Sequence, residues 1–234
     1  MSRPKTNDRR RTRFSVIVPT LDESEEIEAT LGHATEALGP LTELIVVDGG
    51  SVDGTPDRVR GLARVLTRPP CRGDQMRAGA ETARGDILLF LHADTWLPPG
   101  AGAAVLAQIE AGATSGCLYL GFREEGRLRY RALAAAINLR TRVFRTATGD
   151  QAIFATREAY DASGGMPPLR IFEDVRFVRR LRATGVFRPV PATAVTSTRR
   201  WERQGFWRTI LQHLRLRALH SLGTDPERLA SRYR

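Results

Sequence analysis

The strongest constraint on the fold is the recurrence of short apolar runs: FSVIV from residue 14, ELIVV from 43, RVLT from 64 and ILLFL from 87. A strand buried on both faces reads as a continuous apolar run, and strands separated by helices join through right-handed parallel crossovers. The intervening stretches SEEIEATLGHATEAL, DGTPDRVRGLA and DQMRAGAETA are amphipathic. This order predicts a parallel α/β sheet over residues 14–93. Ligands of such sheets bind beyond the carboxyl ends of the strands. Three loops occupy that edge here, residues 19–23, 48–53 and 92–94.

The second half is less regular. We expect a helix over residues 99–111, a strand at GCLYLGF and an arginine-studded helix over 127–144. A strand at QAIFAT, a helix at FEDVRFVRRLRATG and a last helix over 205–222 follow. With 234 residues the chain can bury one sizeable core. The expected division is a disordered basic leader over 1–13, one domain over 14–204, and a C-terminal amphipathic helix and tail over 205–234. No run of about 18 apolar residues and no signal-peptide pattern occurs, so a cytoplasmic protein without membrane spans is expected. Cys71 and Cys117 are too few for a disulfide framework. A formal net charge of +10 would suit nucleic acid, but Lys5 is the only lysine. So complete a bias towards arginine looks like genome composition, and no nucleic-acid partner is expected.

The loop residues carry the chemistry. In VVDGGSVDGT, Asp48 ends a buried strand, and two glycines let the backbone turn and approach a ligand. A turn role is the alternative. Asp53 is either a ligand contact or a helix N-cap. In ILLFLHADTWLPP, His92 and Asp94 are two apart and point to one side of an extended chain. A hard cation on a phosphate takes one or two protein carboxylates. Asp94 suits that role or caps the turn before Pro98. His92 fits a metal ligand, a ribose contact or a supporting histidine. Arg72 and Gln75 open a helix, a place that favours phosphate, or lie on a surface loop.

Taken in order, VIVPTLDESEEI, VVDGGSVDGT, RGDQMRAGA, GDILLFLHAD, GDQAIF, FEDVRFVRRL and STRRW resemble family 2 glycosyltransferases, most of all a small soluble bacterial branch. The resemblance covers residues 14–201. It implies a GT-A fold: a single Rossmann-like, mostly parallel sheet flanked by helices, with a less regular acceptor-binding second half. It also implies a nucleotide-sugar donor, Mg2+ or Mn2+ on its diphosphate, and inversion in one displacement. By the same resemblance Pro19, Thr20 and Glu23, with Ser51 and Asp53, line the nucleoside pocket, and Asp48 contacts base or ribose. Asp94, last in the family's Asp-x-Asp motif, binds the metal, with His92 in the first acidic position. Asp22 stands where many relatives carry Asn, and Arg72 is the nearest compensating cation.

The resemblance makes Asp174 the base and Glu173 its orienting neighbour. The alternative is a pair of acids complementing a helix dipole. Asp150 and Gln151 read as a sugar or acceptor contact, or as a turn at a strand start. In STRRW, Ser197 takes the Gln position of Gln-x-x-Arg-Trp, which speaks for single transfer rather than processive synthesis. Arg200 would hold diphosphate and Trp201 pack on the acceptor. The last helix places Trp207, Ile210, Leu211, Leu214, Ala218 and Leu222 on one face with Arg208, Arg215 and Arg217 at its flanks. Such a helix lies peripherally on an anionic membrane, here the inner face of the cell membrane, or packs on the core. The membrane role suits lipid-like acceptors such as the polyisoprenoid and carotenoid acids of the family. A sugar nucleotidyltransferase is the competing enzyme, but PTLDES stands where its glycine-rich loop belongs. A basic nucleic-acid-binding protein leaves the ordered acidic loops unexplained.

Overall fold

The computed structural model describes residues 13–123 and 127–230, so the leader expected over 1–13 lies outside the described residues except for Arg13. The first half alternates as the apolar runs predict: β1 (Phe14–Thr20), α1 (Ile27–Leu38), β2 (Thr42–Asp48), the one-turn α2 (Thr55–Arg58), β3 (Arg64–Thr67), α3 (Arg72–Thr82) and β4 (Ile87–Phe90). Then come β5 (Thr95–Trp96), α4 (Ala101–Glu110), β6 (Ser115–Phe122), α5 (Leu128–Phe144), a 3-10 turn (Gly149–Gln151) and β7 (Ile153–Thr156). The chain continues through α6 (Arg157–Ala162), α7 (Glu173–Thr184), β8 (Phe187–Thr196), α8 (Arg199–Gln204), α9 (Phe206–Ser221) and α10 (Pro226–Ala230).

All eight strands form one sheet in the order β3-β2-β1-β4-β7-β6-β8-β5. β1 to β4 are mutually parallel, as is the β6–β8 pair, whereas β7 runs antiparallel to β4 and β6. The strand period of two divides β1 between two cores. Phe14, Val16 and Val18 pack with Ile27 and Leu31 of α1 on one side, and Ile17 packs with Met76 of α3 and Phe177 of α7 on the other.

Two glycines fix how closely α3 approaches. A Cβ on Gly79 would fall 2.5 Å from Cγ2 of Ile17, so the helix lies directly on β1. A Cβ on Gly73 would fall 2.1 Å from the Pro167 carbonyl, and its N–H donates to the Leu169 carbonyl at 3.0 Å. The start of α3 is thereby tied to the segment leading into α7, which brings Arg72 to Glu173.

β8 is the element the sequence hides. Pro189 and Pro191 argue against a strand, because proline cannot donate to a ladder. β8 accommodates Pro191 with an irregularity: Leu118 pairs Val190 but Tyr119 pairs Thr193. The C-terminal helices are part of the domain and not a separate tail. Phe206 and Ile210 of α9 pack with Phe122, Tyr130, Leu133 and Ile137, and Leu229 of α10 packs with Ile171. Of the face expected to be apolar, Ile210 turns inward, while Trp207, Leu211, Leu214 and Leu222 are exposed. The buried side is formed by Phe206, Thr209 and Leu216 instead.

Candidate active site

The loops after β1 and β2 are tied together by their own polar side chains. The Asp48 carboxylate accepts from the Thr20 and Ser51 hydroxyls at 3.2 and 2.5 Å and from the Gly50 and Ser51 N–H groups at 2.9 Å. Asp22, at φ 55°, accepts from Val52 N–H and donates its own N–H to Ser51 Oγ. Asp53 accepts from Ser24 N–H and from the Thr55 N–H and hydroxyl. Burial pulls the Asp53 carboxyl upward, but these bonds outweigh it and hold the group below the ordinary range.

These bonds show what several of the expected site residues do within the fold. Asp48 is 3% exposed, and its carboxylate accepts four hydrogen bonds that shape the loop. Gln75 is 4% exposed, and its Nε2 donates to the Thr20 and Val47 carbonyls, bracing β1 to β2. Pro19 and Thr20 are buried at the end of β1. Arg72 does not compensate Asp22, for it pairs with Glu173 at 3.6 Å.

Glu23 and Asp94 face each other across the sheet edge, and two arginines hidden from motif reading serve them. Arg199 donates to Glu23 at 2.7 Å and to Glu25 at 3.0 Å. Arg123 donates to Glu26 at 2.7 Å and to the Asp94 carbonyl at 2.8 Å, with its guanidinium 3.7 Å over the Trp96 ring. Burial, then the Asp94 charge, raises Glu23 against the pull of Arg199. Burial also raises Asp94, opposed by Arg123 and Arg199. Among the described residues the Asp94 carboxylate meets the Thr95 and Thr196 hydroxyls, at 3.4 and 3.5 Å, and its own backbone N–H. A cavity of about 390 Å³ adjoins this point, lined by Arg123, Ser197, Thr198 and Arg199.

Gly149 joins the loop after β4 to α7. A Cβ there would fall 2.3 Å from His92 Nε2, and its N–H donates to Asp174 Oδ2 at 2.8 Å. His92 Nε2 is buried with no hydrogen-bond partner among the described residues. Burial first, then Arg72 and Arg200, push the imidazole down to about 3, so it is neutral at physiological pH. Glu173 is 2% exposed, and burial plus the Asp174 charge push it up to about 7 against Arg72. Burial likewise raises Asp150, which accepts from the Thr148 hydroxyl and lies near Asp174. Ala152 and Phe172, at φ 47° and 60°, flank these acids, a placement of backbone strain common at functional sites.

Gln151 is wholly buried, its amide bonded to Thr148 N–H, the Leu118 carbonyl and Thr141, so it holds the turn. Trp201 packs edge-on to Phe122 and His213 and beside Phe206, which places it inside an aromatic cluster. Arg200 lies near His92 and His213. The described residues thus bring together His92, Asp94, Asp150, Glu173, Asp174 and Arg72, while Asp48, Gln75, Gln151 and Trp201 support them. Sequence reasoning missed Arg123 and Arg199, whose only signal was position in an arginine-rich chain.

The geometry has a known counterpart. The chain is similar to an undecaprenyl-phosphate 4-deoxy-4-formamido-L-arabinose transferase of Aeromonas hydrophila, 34% identical over 97 residues, 36% of this chain and 30% of that one. It is also similar to a PGL/p-HBAD biosynthesis glycosyltransferase of Mycobacterium tuberculosis, 36% identical over 89 residues, 35% of each chain. The chain thus spans about a third of the length of the curated relatives it matches. Among solved structures, S. aureus TarS 1-349 in complex with UDP aligns at TM-score 0.63 and 18% identity, over 79% of this chain and 60% of that one. A mannosyltransferase from Pyrobaculum calidifontis in complex with GDP-Man and Mn2+ aligns at 0.59 and 22%, over 79% and 56%. These likenesses show the GT-A fold. The model of glycosyl transferase family 2 matches residues 15–170, and the chain belongs to that family.

Proposed function

We propose that the protein transfers a sugar from a nucleotide-sugar to a hydroxyl or carboxyl group of a small or lipid-like acceptor, in a single inverting displacement. The observation that carries this reading is the convergence of Asp94, Asp174 and Glu173 around the His92–Gly149 contact at the carboxyl edge of the sheet. Asp174 takes the acceptor proton as the acceptor oxygen bonds to the anomeric carbon and the nucleoside diphosphate leaves. Arg123 holds the backbone of Asp94, and Arg199 holds Glu23 in the loop after β1. Glu173, fixed by Arg72, orients the start of α7.

The residues present fit a divalent cation. Among the described residues no three His, Cys, Asp or Glu side chains stand close enough to cage a metal. Asp94 offers a desolvated carboxylate whose side-chain hydrogen bonds, to Thr95 and Thr196, are both long, which suits Mg2+ or Mn2+ that takes its other ligands from phosphate and water. When bound, the metal supplies charge stabilisation of the departing diphosphate. The test is a thermal-shift series of UDP, GDP and their sugars with and without Mn2+. One nucleoside diphosphate at a hundred times its Kd is expected to raise Tm by roughly 5–10 °C. No shift with any of them, or release of pyrophosphate from a nucleoside triphosphate, speaks against glycosyl transfer.

Among the described residues no helix is long and apolar enough to cross a membrane. A peripheral contact is supported by α5 and α9, which share one core cluster and expose Leu139, Val143 and Phe144, and Trp207, Leu211 and Leu214. No Asp or Glu occurs in residues 127–149 or 203–224, where ten arginines stand. This face is built to lie on an anionic lipid surface. Cosedimentation with phosphatidylglycerol vesicles is expected to fall about tenfold in Trp207→Glu with Leu211→Glu, a loss of about 1.4 kcal/mol. Equal binding by wild type and variant removes α9 from the contact.

A further inference from the structure

Arg140 sits in the last turns of α5 with two of its donors in an unusual state. Nε and Nη2 are shielded from solvent, and neither donates to any group among the described residues. Leaving buried charged donors unpaired is costly, so such a group is retained where it has a partner to receive. The two atoms form one edge of the guanidinium, the side-on fork that takes both oxygens of a carboxylate or phosphate.

The neighbours define what the fork faces. Arg217 of α9, Asp150 and Asp174 are its main electrostatic neighbours, after burial itself. Neither acid is turned to Arg140: Asp150 accepts from Thr148, and Asp174 accepts from the Gly149 and Val175 N–H groups. Arg200 and Arg217 also flank His213, which burial and these two charges push down to about 4. His213 is therefore neutral at pH 7 and leaves the cationic character of the corner to the three arginines. Arg123 and Arg199 gather instead at Glu23 and Asp94, beside the loops after β1, β2 and β4.

We propose that the Nε/Nη2 edge of Arg140, with Arg217 beside it, receives an anionic group of the acceptor, a carboxylate or phosphate held next to Asp174. This rests on the glycosyl-transfer reading above and adds to it the charge of the acceptor. The same chemistry occurs in the donor diphosphate, so the experiment fills the donor site first. Wild type and Arg140→Gln are saturated with the best-binding nucleoside diphosphate and Mn2+, then titrated with phenyl phosphate and with benzoate in a calorimeter.

Wild type is expected to bind at least one probe saturably. Arg140→Gln should weaken that binding at least tenfold while changing nucleoside diphosphate affinity less than twofold. Arg140→Lys, which keeps the charge and loses the fork, should weaken it at least threefold, and it carries the test if the glutamine variant does not fold. Parallel loss of nucleoside diphosphate affinity assigns the edge to the donor and overturns the proposal. Unchanged probe binding in both variants overturns it as well, as does a wild type that takes neither probe. A wild type that holds phenyl phosphate through Arg140 yet binds no nucleoside diphosphate supports the anion site and overturns glycosyl transfer.

Discussion

Alanine in place of Asp94 abolishes the Mn2+-dependent part of nucleoside diphosphate binding and lowers transfer on the order of a thousandfold, about 4 kcal/mol of transition-state stabilisation. The unliganded variant is expected to be at least as stable as wild type. Burial raises the Asp94 carboxyl, so the folded state holds its proton more tightly than the unfolded chain does. The sign follows: for an acid raised on folding, stability is greatest at low pH and is lost as pH rises through the folded value. Once ionised, the carboxylate is a burden on the unliganded fold, and its removal relieves a desolvated group. Its backbone is held independently, by Arg123 and by Ser197 N–H at 3.2 Å. Thermal melts with and without Mn2+ and nucleoside diphosphate check both halves. A lower Tm without ligand, with the Mn2+ effect intact, would assign Asp94 to the scaffold.

The nucleotide half of the sheet was legible because its strands are buried on both faces, so FSVIV, ELIVV and ILLFL needed no tertiary context. The acids at the strand ends were legible for the same reason, since the end of an apolar run marks the ligand edge. Which of those acids remain open to a ligand was not legible. Asp48 and Asp94 both follow buried strands, yet Asp48 is bonded by Thr20, Gly50 and Ser51 while the side-chain bonds of Asp94, to Thr95 and Thr196, are both long. That difference depends on how two loops meet across the sheet. The bracing bonds of Gln75 and Gln151 were not legible either, because an amide that bridges backbone carbonyls looks in sequence like one that binds substrate. β8 was missed through its prolines, and with it the position of Arg199, which reaches Glu23 from 176 residues away. Long-range pairing of this kind leaves no periodic trace.

Asparagine at 174 is expected to lower kcat by roughly 10²–10⁴-fold with little change in donor KM, the range for loss of a general base. Asparagine keeps one oxygen for the Gly149 N–H, and so the turn that seats His92, at the cost of the bond from the Val175 N–H. Glu173 separates the chemical role from the structural one. Its carboxyl is pushed up to about 7 from an ordinary 4.5, so stability contributed by its neutral form is present below pH 4.5 and is lost as pH rises through 7. The whole window amounts to about 3 kcal/mol. Glu173→Gln should flatten stability between these limits, read by urea titration at each pH, and should remove any inflection of kcat near pH 7. Asp174→Asn should leave the kcat inflection and lower its height. An acceptor that attacks through an ionised carboxylate or phosphate oxygen brings no proton to remove, and with it Asp174→Asn would retain kcat. A kcat loss in that variant therefore identifies the attacking group as a hydroxyl, with the anion held at a distance from it.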